Sequence, residues 1–146
     1  VKETIREIQL KDKNQWEKLY KGYADFYKVE MNDKILQTVW SWLHDNNHEV
    51  NGIVYEVDNK VVGLAHYRRM PRPLKGQDMG FLDDLFVAPE YRGRKIGEKL
   101  INRMKEISTQ KGWNLVRWIT RDDNIRAKSL YDRVSVKTNW DVYELK

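Results

Sequence analysis

The sequence predicts an α/β fold (an α+β mixed sheet), with six or seven strands flanked by four helices in one domain over residues 1–146. Three observations carry this prediction. Several long stretches repeat apolar residues at spacings of three and four, the mark of a helix with one buried face. Shorter stretches are rich in β-branched and aromatic residues and are bounded by Gly, Asn, Asp or Pro. The two kinds interleave along a chain long enough for a single core, without linker, repeat or low-complexity segment.

Taken in order, Lys2 to Leu10 alternates as a first strand. Trp16, Leu19, Tyr20, Tyr23, Phe26 and Tyr27 place a helix between Asp12 and Met31. Ile35, Leu36, Val39, Trp40 and Leu43 mark a second from Asp33 to His44, and His44 to His48 breaks the pattern. Ile53–Val57, the turn Asp58-Asn59-Lys60 and Val61–Tyr67 predict a β-hairpin. Met70 to Asp78, with Pro71, Pro73 and Gly76, is expected as a loop, and Phe81–Val87 as another strand. Ile96, Leu100, Ile101, Met104 and Ile107 give a third helix from about Arg94 to Gln110, stopped by Gly112. A strand at Leu115–Thr120, a helix at Asn124–Arg133 and a last strand at Asp141–Leu145 complete the order β-α-α-β-β-β-α-β-α-β. Val134-Ser135-Val136 is a candidate for one further strand.

Composition removes several classes. The chain is 40% hydrophobic and 34% charged, with six Trp and eight Tyr, which is the make-up of a folded globular protein. No apolar run approaches the roughly 20 residues that span a bilayer, and Val1-Lys2-Glu3-Thr4 lacks the apolar core of a secretory signal. No membrane partner is therefore expected, and the expected location is cytoplasmic. Without cysteine there is no disulfide, thiolate metal site or thioester-forming nucleophile. His44, His48 and His66 show no ligand spacing, so no metal is expected. A net charge of +5 suits an anionic ligand.

The location of the positive residues narrows the choice. Leu85-Phe86-Val87 is a buried strand end, Pro89 to Gly93 a tight turn, and Arg94-Lys95-Ile96-Gly97 the entry to the third helix. A helix N-terminus has free N–H groups and partial positive charge, so the cations Arg92, Arg94 and Lys95 are unfavourable there unless an anion joins them. A polyanion such as a pyrophosphate satisfies the arrangement, with Gly93 and Gly97 allowing close approach. The P-loop and dinucleotide-binding glycine patterns are both absent.

Val87 to Gly97 resembles the acetyl-CoA-binding motif of the Gcn5-related (GNAT) N-acetyltransferases, Arg/Gln-x-x-Gly-x-Gly/Ala. Arg92 and Gly97 match it directly, and Lys95 stands where the family has its middle glycine. The similarity runs from about Ile53 to Leu145, with local likeness to the spermidine/spermine (diamine) acetyltransferases. It implies acetyl-CoA as cosubstrate, held by Leu85, Phe86, Val87, Arg92, Gly93, Arg94, Lys95, Ile96 and Gly97, with an oxyanion donor on the backbone near Phe86 or Val87.

A second segment supports the first. Asn124, Ala127 and Tyr131 share one helical face, a polar and small stripe unsuited to a core. Asn-x-x-Ala-x-x-x-Tyr resembles the family's pantetheine-contacting motif, which adds Asn124, Ala127 and Lys128 to the cofactor set. It implies Tyr131 as the acid that protonates the departing thiolate. A phenol of pKa about 10 is suitably protonated at neutral pH.

Asp83 and Asp84 interrupt an otherwise apolar strand, and simple alternation sends them to opposite faces. The same resemblance implies Asp83 as the base and Asp84, Tyr27 and Glu30 as acceptor-binding residues. It also points to Tyr23, Phe26, Met31 and the segment Met70–Asp78 for specificity. The competing reading is that the acids pair with Arg68, Arg69 or Arg72.

The function expected is acetyl transfer to a primary amine of a small molecule, polyamine or amino-acid-like, by direct attack in a ternary complex. A protein lysine or N-terminal acceptor, a non-catalytic acyl-CoA sensor and a basic nucleic-acid-binding domain are the alternatives. Against the last, no zinc-ligand set or RNP-like sequence is present and the cations are interleaved with acids, so no nucleic acid partner is expected. A homodimer is left open.

Overall fold

The computed structural model describes residues 1–146. Strand β1 (Glu3–Glu7) is followed by a single 3-10 turn and two helices, α1 (Lys13–Tyr27) and α2 (Asp33–Leu43). Next come β2 (Asn51–Val57), β3 (Lys60–Arg72) and β4 (Gln77–Val87), then α3 (Ile96–Gln110), β5 (Val116–Arg117) and α4 (Ile125–Val134). The strands form one sheet in the order β1-β2-β3-β4-β5, antiparallel except for the last pair.

The helix boundaries follow local chemistry. α1 ends at Tyr27 and not at Met31, because Lys28 turns left-handed (φ 55°). The Asn32 side chain then accepts from the Ile35 N–H and caps α2. The β2–β3 hairpin turns on Asp58 and Asn59, both at positive φ, the geometry that two-residue hairpins favour.

The sheet is covered on both faces. α3 buries Leu100, Met104 and Ile107 against Ile53, Tyr55, Ala65 and Tyr67. On the other face, Trp16 and Leu19 of α1 and Leu36 of α2 pack on Val54, Leu64 and Phe86. An ion-pair cluster fastens β1 to this second layer. Arg6 reaches Asp12 at 2.7 Å and Glu56 at 2.8 Å, and the Gln9 N–H also donates to Asp12. Burial alone would raise the Asp12 carboxyl, yet the Arg6 and Gln9 hydrogen bonds hold it below its ordinary range.

Several expectations are corrected. The sheet has five strands, not six or seven. Met70–Asp78 is no loop: β3 runs on to Arg72 and β4 begins at Gln77, because the two strands pair as far as Arg72 opposite Gln77 and leave only a short turn. The strand expected at Leu115–Thr120 shrinks to two residues. Val134 closes α4, and Asp141–Leu145 pairs with nothing; Val142 and Tyr143 are exposed. Their alternating pattern favours a strand only beside a free sheet edge long enough to pair, which β5 does not offer.

The two acids of β4 also depart from simple alternation. His66 lies opposite Asp84 but Tyr67 lies opposite Leu82, so Asp83 is the extra residue of a β-bulge. Asp84 bonds His66 and Asp83 bonds Arg68, residues two apart on β3 and therefore on one face. The carboxylates share a face; they do not point apart.

Arg6→Ala leaves Asp12 buried without its cation, and should destabilise the fold by about 3 kcal/mol at neutral pH in urea titrations. Because the folded Asp12 pKa is depressed, this contribution is present above the ordinary carboxylate range and is lost as pH falls through the lower, folded value. The difference between wild type and variant should shrink accordingly in acid.

Candidate active site

β4 is hydrogen-bonded on both edges only near its start. β5 pairs with Gly80 and Phe81 and then leaves the sheet. Gly80 permits the close approach there, since a Cβ would lie 2.8 Å from the Trp113 ring. Beyond Leu82, β4 keeps β3 on one side and has no strand on the other. Ala88 N–H donates to Val62 O at 2.8 Å, so in an antiparallel ladder Phe86 N–H also points to β3, while Leu85 and Val87 N–H point to the open side. Of the two positions named for the oxyanion donor, Val87 and not Phe86 therefore faces outward, joined by Leu85.

The opening is a cleft of about 350 Å³, bounded by the end of β4, the start of α3 and the inner face of α4. Its lining includes Leu85, Phe86, Val87, Arg92, Gly93, Lys95, Ile96 and Gly97 from the turn, and Asn124, Ala127 and Tyr131 from α4. Two segments thirty residues apart in sequence are thus brought to one wall. Tyr27 closes the cleft from α1: its hydroxyl accepts a 2.9 Å bond from Asn124 Nδ2, while Asn124 Oδ1 caps α4 through the Ala127 N–H.

The turn has the backbone geometry of an anion cradle. Gly93 (φ 83°) and Lys95 (φ 62°) are both left-handed, and Lys95 is the N-cap of α3 with no side-chain cap bond. The N–H groups of the first turn are left for a ligand. Lys95 therefore adopts a backbone that suits glycine, while its side chain is exposed. The Arg92 guanidinium bonds Val87 O, lies over the rings of Phe26 and Phe86, and is held below its ordinary pKa by burial and by Arg126. Arg92, Lys95, Arg126 and Arg133 line one cleft with a single acid, Glu98, which pairs with Arg133, an excess of positive charge that suits a multiply charged anion.

Tyr131 lies edge-on to Trp118, and burial beside Tyr27 pushes its pKa up to about 12. The phenol stays protonated across neutral pH, as an acid should.

On the α1 face of β4, the two aspartates have opposite environments. Asp83 is half-exposed and pairs with Arg68 at 3.0 Å; burial and the neighbouring Asp84 nonetheless hold its carboxyl above the usual range. The competing ion-pair reading is thus realised for this residue. Burial would raise Asp84 too, but hydrogen bonds from His66, Tyr20 and Tyr23 hold it below. Pairs separated in this way can divide the roles of proton acceptor and fixed anion.

Some expected residues stand elsewhere. Glu30 is exposed and accepts from Asn32, away from the cleft. Lys128 turns its ammonium to Asp122 O, and Arg94 stacks over Tyr91 outside the lining. The Met70–Asp78 segment lies at the far end of β4, about 30 Å from Val87 along the strand. Conversely, Arg126, Leu130 and Arg133 line the cleft although the motifs do not mark them. Arg126, beside the cap of α4, had a signal in its position at a helix start. Arg133, which pairs with Glu98 of α3, had none, because only the packing of α4 on α3 makes them neighbours.

Residues 16–135 match the Acetyltransferase (GNAT) family, more than half of the chain, and the protein belongs to that family. The D-amino-acid N-acetyltransferase HPA3 of Saccharomyces cerevisiae is 28% identical over 142 residues, covering 96% of this chain and 88% of the relative. A thialysine N-epsilon-acetyltransferase of Bos taurus is 39% identical over 71 residues, 49% of this chain and 41% of that protein. Among solved structures, an aminoglycoside N-acetyltransferase in complex with CoA superposes with a TM-score of 0.84 at 19% identity, covering 99% of this chain and 95% of that one.

Two substitutions separate folding from binding at the turn. Lys95→Gly should raise the melting temperature modestly, by the equivalent of up to about 1 kcal/mol, by relieving the left-handed lysine. A Cβ on Gly97 would meet only Leu130 at an ordinary 3.7 Å. Gly97→Ala should thus stabilise α3 by about 0.5–1 kcal/mol while weakening coenzyme A binding measured by calorimetry.

Proposed function

We propose that the protein transfers the acetyl group of acetyl-CoA to a primary amine on a small cationic molecule, amino-acid-like or a polyamine, by direct attack. One observation carries the reading: a one-sided strand end, an uncapped helix start and a protonated buried phenol face the same cleft. The names of the yeast and bovine relatives support an amino-acid-like or aliphatic amine.

The donor set suits the cosubstrate. Arg92, Arg126 and the free N–H groups at the start of α3 would hold the diphosphate, and the stripe Asn124–Ala127–Tyr131 would flank the pantetheine arm. Acetyl-CoA supplies an activated thioester carbonyl. The outward N–H groups of Leu85 and Val87 are placed to donate to the oxygen of that carbonyl as charge develops on it. Tyr131 gives its proton to the sulfur as the C–S bond breaks. The attacking nitrogen must lose a proton, since an alkylammonium of pKa about 10.4 has no free lone pair. Asp83, with its raised pKa, is the proton acceptor through water, and Asp84 is the anion that receives the charged amine. The location proposed is the cytoplasm.

Tyr131→Phe should lower kcat by about 10²-fold or more in a thiol-release assay, with coenzyme A affinity retained by calorimetry. Because its pKa is raised to about 12, the wild-type acid step should show no alkaline fall-off through pH 10. Failure of folded wild-type protein to bind coenzyme A, or to release thiol with any of a panel of polyamines, amino acids, aminoglycosides and lysine peptides, overturns the reading. Faster turnover on lysine peptides than on the small amines would move the acceptor class to proteins.

A further inference from the structure

Behind Asp84 lie two buried side chains that no motif explains. Trp16 of α1 is 0% exposed and His66 of β3 is 2% exposed. The Trp16 indole Nε1–H donates to His66 Nε2 at 2.9 Å, and His66 Nδ1 lies 2.8 Å from Asp84 Oδ2. An indole nitrogen is only ever a donor. His66 Nε2 must therefore present its lone pair, the ring proton sits on Nδ1, and Nδ1–H donates to Asp84. Charging the imidazole would set two N–H donors against each other in a site closed to water.

The surroundings leave Asp84 as an anion without a counter-cation. Tyr20 donates to the same Oδ2 at 2.9 Å, and Tyr23 faces the carboxylate from the next turn of α1. On the strand side its neighbour is Asp83, whose Arg68 partner is engaged with Asp83 itself. Behind the indole, α2 contributes Trp40, with His44 tilted against it. No lysine or arginine pairs with Asp84, whose side chain keeps 19% exposure. A carboxylate this enclosed is normally paired with a cation; here all its contacts are neutral donors.

We propose that His66 is a positioning residue of the acceptor site: locked by Trp16 as the neutral Nδ1–H tautomer, it holds Asp84 as an uncompensated anion, so that the acceptor must bring the positive charge and is taken up as its ammonium. The inference rests on the acetyl-transfer reading and deepens it. His66 is not the base, since its only lone pair is occupied by the indole. It decides which form of the amine binds, and Trp16 decides the charge of His66.

The tautomer is tested without turnover. Nitrogen-15 spectra of the folded wild-type protein should show His66 with a protonated Nδ1 and an unprotonated Nε2 at neutral pH; the opposite tautomer, or an imidazolium, overturns the proposal. Kinetics with thialysine as probe test the role. His66→Leu should raise the KM for thialysine about tenfold, with kcat and the KM for acetyl-CoA within about twofold, and His66→Asn, which keeps a donor toward Asp84, should recover most of the loss. Trp16→Phe keeps the ring but removes the donor to Nε2, so the Nδ1–H tautomer should no longer be the only form in the nitrogen-15 spectrum. Equal KM values in wild type, His66→Leu and His66→Asn overturn the positioning role, even if acetyl transfer is intact. Absence of transfer to every amine, with the tautomer as stated, overturns the acetyl-transfer reading and the role with it.

Discussion

The site exists because β4 loses one hydrogen-bonding partner half-way along. As far as Phe81 it is a central strand; beyond that point β5 has turned away and one row of backbone N–H and C=O groups is left facing a cleft. Buried backbone donors without partners are costly, so this edge is stable only if solvent or a ligand takes their place. The side chains that define the cleft follow from this divergence: α3 begins where β4 ends, and α4 follows the strand that left.

Charge divides the site in two. On the cofactor side, Arg92 and Arg126 crowd a helix start whose own partial charge is positive, and burial already weakens the hold of Arg92 on its proton. On the other side, Asp84 is bonded by His66 and Tyr20, and no lysine or arginine pairs with it. Tyr131 lines the same cleft as Arg92 and Arg126 and is kept neutral by burial. The bulge at Asp83 is what places two carboxylates on one face, so that one can be the fixed anion while the other, with its carboxyl held above the usual range, is open to a proton.

The wall of the cleft was largely legible in the sequence. Cations next to glycines at a strand-to-helix junction, and a polar stripe at helical spacing, are local patterns, and the fold preserves local patterns. Val87, Arg92, Gly97, Asn124, Ala127 and Tyr131 all line the cleft. Glu30 lies outside the cleft because Lys28 ends α1 before it, and the Lys128 ammonium because it finds a nearer carbonyl. The acceptor side was less legible. Alternation predicts opposite faces for Asp83 and Asp84, and a one-residue bulge reverses that.

What the sequence determined by itself, then, is whatever depends on neighbours within a few positions: four amphipathic helices, the hairpin turn, the family and the cationic elbow at the start of α3. The tertiary structure decided which residues meet across long separations. It made five strands of an expected six or seven, because the tail finds no edge to pair with. It brought Trp16, His66 and Asp84 together from α1, β3 and β4. A lone histidine on an apolar strand carries no signal of its own, since its tautomer and partners are fixed only by the packing of other elements around it.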